Sequence, residues 1–378
     1  MLRHTTKFQQ ATPPTILSSG SGSLLVRYSG YIACREHSPR LLSIRCFASA
    51  FAHGHQGARV ATSRASWCTL FMPRVLSVQS HVVHGYVGQK AATFPLQLLG
   101  WDVDPVNTVH FANHTGYRHK AGESLTAEQL RRIVWNGLLP NGLLKSVTHL
   151  LTGYIRSREL LEVVRELIDL LNSERAGQEP VWYLCDPVLG DNGRLYVPPE
   201  MVEAYRDILI PRAHLIIPNA YELQLLVPHE TDIERACHWL HTHYQVPVIV
   251  VTGAEADEHQ RPCVYLSEAL RKQSKWFQLP SRLPGSFTGT GDLSAALLLA
   301  WSARVPNLQQ AVEYAFSTVY HVLRRTLDEG EIVEAGVPPE LALIQSAKDI
   351  LEPKLVCQVS DMRPEPDRES NDCEQSLT

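Results

Sequence analysis

The sequence predicts an α/β fold: a mostly parallel sheet covered by helices on both faces. From Arg74 onward, short runs rich in Val, Ile, Leu and aromatics alternate with longer stretches of helical period. Strand and helix in alternation imply parallel strands whose connecting helices lie on both sides of the sheet. With 378 residues and 44% hydrophobic content, the chain can bury a core of that size.

The strands are expected at residues 74–79, 147–153, 181–185, 215–217 and 246–251, each ended by a turn residue. Residues 160–171 read as a helix, because Leu160, Val163, Val164, Leu167, Ile168 and Leu171 fall on one face at a 3.6 period. In open sheets of this kind ligands bind beyond the carboxyl ends of the strands. Those ends read Gln79-Ser80-His81, Thr152-Gly153-Tyr154, Asp186-Pro187, Pro218-Asn219 and Thr252-Gly253. No internal repeat is visible.

Residues 1–71 differ in texture, with eight Lys or Arg, a single acid, Glu36, and no sustained period. They are expected to be either a mitochondrial transit peptide, or a disordered extension or upstream stretch with Met72 as the working start. Residues 72–355 form the expected catalytic domain and 356–378 a polar C-terminal tail. The net charge of −4 therefore sits on an acidic body, which argues against nucleic acid as a partner. Charges or Pro interrupt every apolar run before membrane-spanning length, so a soluble protein is expected. The eight cysteines make no CxxC pair or regular framework, as in a reducing compartment. His81, His84, His110 and His114 show no i,i+4 spacing suited to zinc.

The strongest local feature is Gly289-Thr290-Gly291-Asp292, followed by the apolar helical run 295–301. The glycines let several N–H groups turn toward one point, and a helix N-terminus adds partial positive charge there, making an anion hole suited to a transferring phosphate. Asp292 stands beside it as a candidate general base; taken alone, it reads equally well as a helix-capping acid. A full Gly-x-Gly-x-x-Gly fingerprint is absent, since Ser294 holds the third position.

Taken together, the ordered blocks RVLSVQSHVVHGYVG at 74–88, AATFPLQ at 91–97, NHTGY at 113–117, LTGY at 151–154, CDPVLGD at 185–191, YVP at 196–198, Pro218-Asn219 with Glu222, and GTGDL at 289–293 resemble the pyridoxal kinases of the ribokinase-like superfamily. The resemblance covers most of residues 74–355. It implies the ribokinase-like three-layer αβα sandwich and transfer of the γ-phosphate of ATP to the 5′-hydroxymethyl group of pyridoxal, pyridoxine or pyridoxamine. Asp292 inherits the base role, with the amides of Gly289, Thr290 and Gly291 holding the phosphoryl group. Ser80, Val87, Thr115 and Tyr154 inherit contacts to the vitamer, and Asp186, Tyr196, Asn219, Glu222 and Thr252 contacts on the ATP side. Asp186, Asp191 and Glu222 inherit the organisation of Mg2+. A homodimer, a monovalent cation such as K+, and a cytoplasmic setting are likewise implied by the resemblance alone.

The family pattern is broken in three places. Ile217 replaces a threonine before Pro-Asn, Ser294 replaces a bulky residue after Gly-Thr-Gly-Asp-Leu, and the stretch between Thr252 and Gly289 is short. A lost hydroxyl contact to the nucleotide would weaken it by about 1 kcal/mol. The alternatives are another hydroxymethyl kinase of the superfamily, such as one acting on a pyrimidine, and a quiet relative that binds vitamer or nucleotide without turnover.

Overall fold

The computed structural model describes residues 73–255, 261–329 and 337–363. All of them belong to the compact unit Trp67–Thr378. The expectations for residues 1–71 lie outside the described residues.

In chain order the elements are β1 (Arg74–Val82), α1 (Gln89–Leu98), β2 (Asp102–Phe111), β3 (Gly122–Ser124), α2 (Ala127–Ile133), β4 (His149–Thr152), α3 (Arg158–Glu174) and β5 (Trp182–Cys185). There follow β6 (Gly190–Asp191), β7 (Arg194–Leu195), α4 (Glu200–Ala204), β8 (Leu215–Ile216), α5 (Ala220–Leu226), α6 (Ile233–Tyr244) and β9 (Val248–Glu255). The last are β10 (Pro262–Glu268), β11 (Gln273–Gln278), α7 (Thr290–Ser302), α8 (Leu308–Glu329), α9 (Ala347–Leu351) and β12 (Gln358–Ser360). Among the described residues no helix is long and apolar enough to cross a membrane.

Ten strands form one sheet in the order β12-β11-β10-β9-β8-β5-β4-β1-β2-β3. The six from β9 to β2 run parallel. Both edges are antiparallel, with β10, β11 and β12 on one side and β3 on the other. Each expected strand is present, with ends displaced by a few residues. The edge strands add antiparallel pairs to a sheet expected to be mostly parallel.

Alternation along the strands builds two cores. Leu76, Val78, Leu150, Tyr183, Cys185, Ile216, Ile249 and Val251 face one layer of helices, where Val164 of α3, Met201 of α4, Leu223 of α5 and Leu240 of α6 pack against them. The intervening residues Val75, Leu151, Leu184, Leu215, Ile217 and Val250 face the other layer, formed by α1, α7, α8 and α9. Helix α3 begins where the Ser157 hydroxyl accepts the Leu160 N–H at 3.2 Å. Its apolar face is the one expected, and Leu160, Val163, Val164, Leu167, Ile168 and Leu171 are all buried. Helix α7 is apolar on every side because it is enclosed, with Leu293 to Trp301 buried.

Two elements differ from the sequence expectation for physical reasons. Strand β2 carries Pro105 among alternating polar residues, a pattern that does not read as a strand. It is tolerated because β3 pairs only with Val109 to Phe111, leaving the Pro105 end on an open edge. The expected tail at 356–378 begins inside the fold: Gln358–Ser360 pairs with β11, and the Val356 N–H donates to the Ser317 hydroxyl at 3.0 Å.

β1 lies between β4 and β2, so the chain leaves β1 toward one edge and returns on its other side. A crevice opens at such a reversal, at the carboxyl ends of the strands. Tyr154, Asp186 and Asn219 lie just beyond those ends, while Ser80 and Thr252 lie within the carboxyl-terminal halves of β1 and β9.

Candidate active site

Helix α7 starts at Thr290, capped by Gly289 in the left-handed region at φ 84°. Its ladder opens with the Leu293 N–H donating to the Gly289 carbonyl at 3.0 Å. The Thr290 and Gly291 N–H groups precede that first bond and have no helical acceptor. A β-carbon on Gly289 would overlap the Tyr86 carbonyl, so only glycine lets the two loops approach this closely. Burial pushes the Asp292 carboxyl up to about 6, with the nearby backbone amides of Gly88 and Asp292 itself opposing the shift. Its surface is partly open to solvent while its carboxylate lies deep among protein atoms, a setting for a base that works near neutral pH.

Gly88 also closes on β1: a β-carbon there would overlap the Ser80 carbonyl, at φ 54°. Ser80, Gly88 and Asp292 thus form one continuous wall. Val87 is buried beside them, and its carbonyl accepts the Lys90 N–H at 3.2 Å. Thr115 stands exposed in the 113–117 turn, which is folded by the Gly116 N–H donating to His114 Nδ1 at 3.1 Å. Tyr154 is fixed through its backbone: Thr108 donates to its carbonyl at 2.6 Å, and buried Tyr205 bonds the residues on either side.

The opposite wall is built on a capping box at the start of α5. Asn219 Oδ1 accepts the Glu222 N–H at 2.8 Å, and Glu222 Oε2 accepts the Asn219 N–H at 2.9 Å. Glu222 Oε1 also accepts the Leu189 and Gly190 N–H groups at 2.8 and 3.3 Å, tying the loop after β5 to α5. Burial nevertheless lifts its carboxyl to about 7, the three backbone donors opposing the shift. Asp186 is buried and raised well above the usual carboxylate range, first by burial and then by the charges of Glu222 and Asp292. It lies against α7, 3.8 Å from where a Gly291 β-carbon would stand.

Asp191 makes no hydrogen bond to this pair, though its charge adds to the raised pKa of Glu222. Exposed on the β6–β7 hairpin, it accepts the Asn192 backbone and side-chain N–H groups at 2.8 and 2.9 Å. Among the described residues no group of three His, Cys, Asp or Glu is placed to hold a metal ion, so Asp186, Asp191 and Glu222 do not meet as one ligand set. The Asn192-Gly193 turn shapes the hairpin, with both φ angles positive, and its sequence is a recognisable hairpin signal. Tyr196 follows it, half exposed, and its carbonyl accepts the Tyr154 hydroxyl at 3.5 Å. Thr252 bridges Asn219, its N–H donating to the Pro218 carbonyl at 3.0 Å.

The two residues that depart from the family pattern point inward. Ile217 is buried in the core shared with α7, and the Ser294 hydroxyl donates to the Thr290 carbonyl at 2.7 Å. His81 and His110 meet edge to face at 5.4 Å, and burial, then His110 and Lys90, lower the His81 pKa.

Nothing in the sequence singles out Glu340. Its carboxylate accepts the Tyr86 N–H at 2.8 Å and the Tyr117 hydroxyl at 2.9 Å, and lies 3.3 Å from His114 Nε2. Burial raises its pKa, but these donors outweigh burial and the net shift is downward. No local signal marks it, because Tyr86, His114 and Tyr117 all lie far back in the chain.

The arrangement joins helix-terminal N–H donors, a carboxylate raised toward neutrality and an acidic pocket beneath them. Such a site can hold a phosphate, accept a hydroxyl proton and attract a hard cation through oxygen donors.

A family model described as phosphomethylpyrimidine kinase matches residues 145–336. A pyridoxal kinase from Arabidopsis thaliana is 44% identical over 292 residues, covering 75% of this chain and 92% of that protein. One from Homo sapiens is 36% identical, covering 76% and 98%. Among solved structures, pyridoxal kinase from Leishmania donovani in complex with ADP and pyridoxamine superposes with a TM-score of 0.70 at 35% identity, covering 76% of this chain and 99% of that one. The chain belongs to the pyridoxal kinase family of the ribokinase-like superfamily.

Proposed function

We propose that this chain uses ATP to phosphorylate the 5′-hydroxymethyl group of pyridoxal, pyridoxine and pyridoxamine. The observation that carries the proposal is the placement of Asp292 beside the Thr290 and Gly291 N–H groups, which no helical acceptor takes up, across from the Asn219–Glu222 box. The hydroxyl attacks the γ-phosphorus while Asp292 takes its proton, and the bond to the β,γ-bridging oxygen breaks to leave ADP. The α7 amides stabilise charge on the phosphoryl oxygens during transfer. Ser80, Val87, Thr115 and Tyr154 hold the vitamer, and Asn219, Glu222, Tyr196 and Thr252 the nucleotide side.

Mg2+ fits the donor set in chemistry, since Asp186 offers hard oxygens whose raised pKa a dication would reverse. When bound it supplies positive charge against the phosphates. Asp186 would hold it, through water where needed, with Glu222 keeping the loop after β5 in place. The resemblance further supports a cytoplasmic homodimer activated by a monovalent cation, with residues 72–355 as catalytic domain.

A second reading, a kinase for a hydroxymethylpyrimidine, draws on the description of the matching family model. Purified protein with Mg-ATP and each alcohol, followed by mass detection of the phosphate ester, separates the two. Ester from the B6 vitamers is expected; ester from the pyrimidine alone would favour the second.

A further inference from the structure

We propose that Glu340 is a positioning residue for phosphoryl transfer, acting through the loop at residues 85–88. It rests on the kinase function proposed above. The Glu340 carboxylate accepts the Tyr86 N–H at 2.8 Å, and a β-carbon on Gly85 would overlap its oxygens. The same loop presents the Tyr86 carbonyl against Gly289 and brings the Gly88 amide near Asp292. One buried carboxylate thus sets the loop that orients both the anion hole and the base.

The second half of the brace is the 113–117 turn. Glu340 accepts the Tyr117 hydroxyl at 2.9 Å, and His114 Nε2 lies 3.3 Å away. Because His114 Nδ1 accepts the Gly116 N–H, the ring proton lies on Nε2, close to Glu340 but without an aligned hydrogen bond to it. The residue is 7% exposed, so its donors find no water to replace it when it is removed. Glu340 therefore locks two segments, each from a different strand end, into one register. Asn219, Glu222 and Thr252 belong to other elements and are untouched by this brace.

Glu340→Ala removes all these acceptors, whereas Glu340→Gln keeps one carbonyl oxygen and can serve either Tyr86 or the Tyr117–His114 side. With pyridoxal and Mg-ATP, we expect kcat to fall at least about tenfold in the alanine variant and less in glutamine, with KM for ATP within about twofold of wild type. Hydrogen exchange, read without turnover, should quicken in peptides covering 83–90 and 113–118 of the alanine variant while 158–174 in α3 stays protected. Unchanged exchange at 83–90, or kcat within about twofold of wild type, overturns the inference. Equal loss of protection in α3 would also overturn it, by making the role one of general stability. Failure of the wild-type protein to turn over any vitamer would count against the proposed function, and the exchange measurement would still decide the role of Glu340.

Discussion

Gly289 lies so close to Tyr86 that a β-carbon on it would overlap the Tyr86 carbonyl, joining the loop after the first strand to the Gly-Thr-Gly-Asp run. In the same corner burial lifts the Asp292 carboxyl from 3.8 to about 6, the nearby Gly88 amide only opposing that shift. Activity that needs the carboxylate is therefore expected to fall as pH drops below about 6. A kcat/KM profile in pyridoxal checks this, and an acidic limb near the ordinary carboxylate value of 3.8 would contradict the buried setting.

Gly289→Ala places a side chain at φ 84° and against the Tyr86 carbonyl. The strain is worth about 1–3 kcal/mol. A lower melting temperature and a large drop in kcat are expected together, because the loop and the anion hole share this contact. Thermal melts with steady-state kinetics check both.

Glu222→Ala strips the acceptor from the N–H groups of Leu189, Gly190 and Asn219. Leaving buried donors unpaired costs about 1–3 kcal/mol. KM for ATP is expected to rise more than KM for pyridoxal, since the freed segments belong to the side proposed for the nucleotide. Equal changes in both would place Glu222 elsewhere in the mechanism.

His149 lies between Trp101 and Trp182, and burial, then Arg175 and His214, hold its pKa down to about 4. Between pH 4 and 6.5 the unfolded chain binds more protons here than the folded one, so stability is lost as pH falls. The full shift is worth about 3 kcal/mol. Asp292 and Glu222 act in the opposite sense, because their raised pKa values make the folded chain bind more protons at low pH. Comparing wild type with His149→Phe isolates the histidine: the variant is expected to lose less stability between pH 6.5 and 4 in urea unfolding.

Five of the six parallel strands are legible in the sequence because each is a short, largely buried apolar run, and α3 because its period is regular. Two further strands are not: β2, parallel to β1, hides behind Pro105, and the antiparallel edge strand β12 is short and lies inside a polar stretch. At the site, Asp292 and the two glycines stand out as a motif, while Asn219 and Glu222 double as an ordinary capping box. Asp191 shares the CDPVLGD block with Asp186, but it sits exposed on the hairpin, its carboxylate taken up by Asn192. Glu340 and Gly88 act through contacts between distant segments, which spacing along the chain does not encode.

The most direct test is a rapid-quench single turnover of ATP and pyridoxal by wild type and Asp292→Asn, both also made as residues 72–378. Wild type is expected to form pyridoxal 5′-phosphate and ADP in equal amounts, with or without residues 1–71. The asparagine variant is expected to bind both substrates and transfer about 10²–10⁴ times more slowly. Transfer by Asp292→Asn within about threefold of wild type would contradict the assignment of Asp292 as the base.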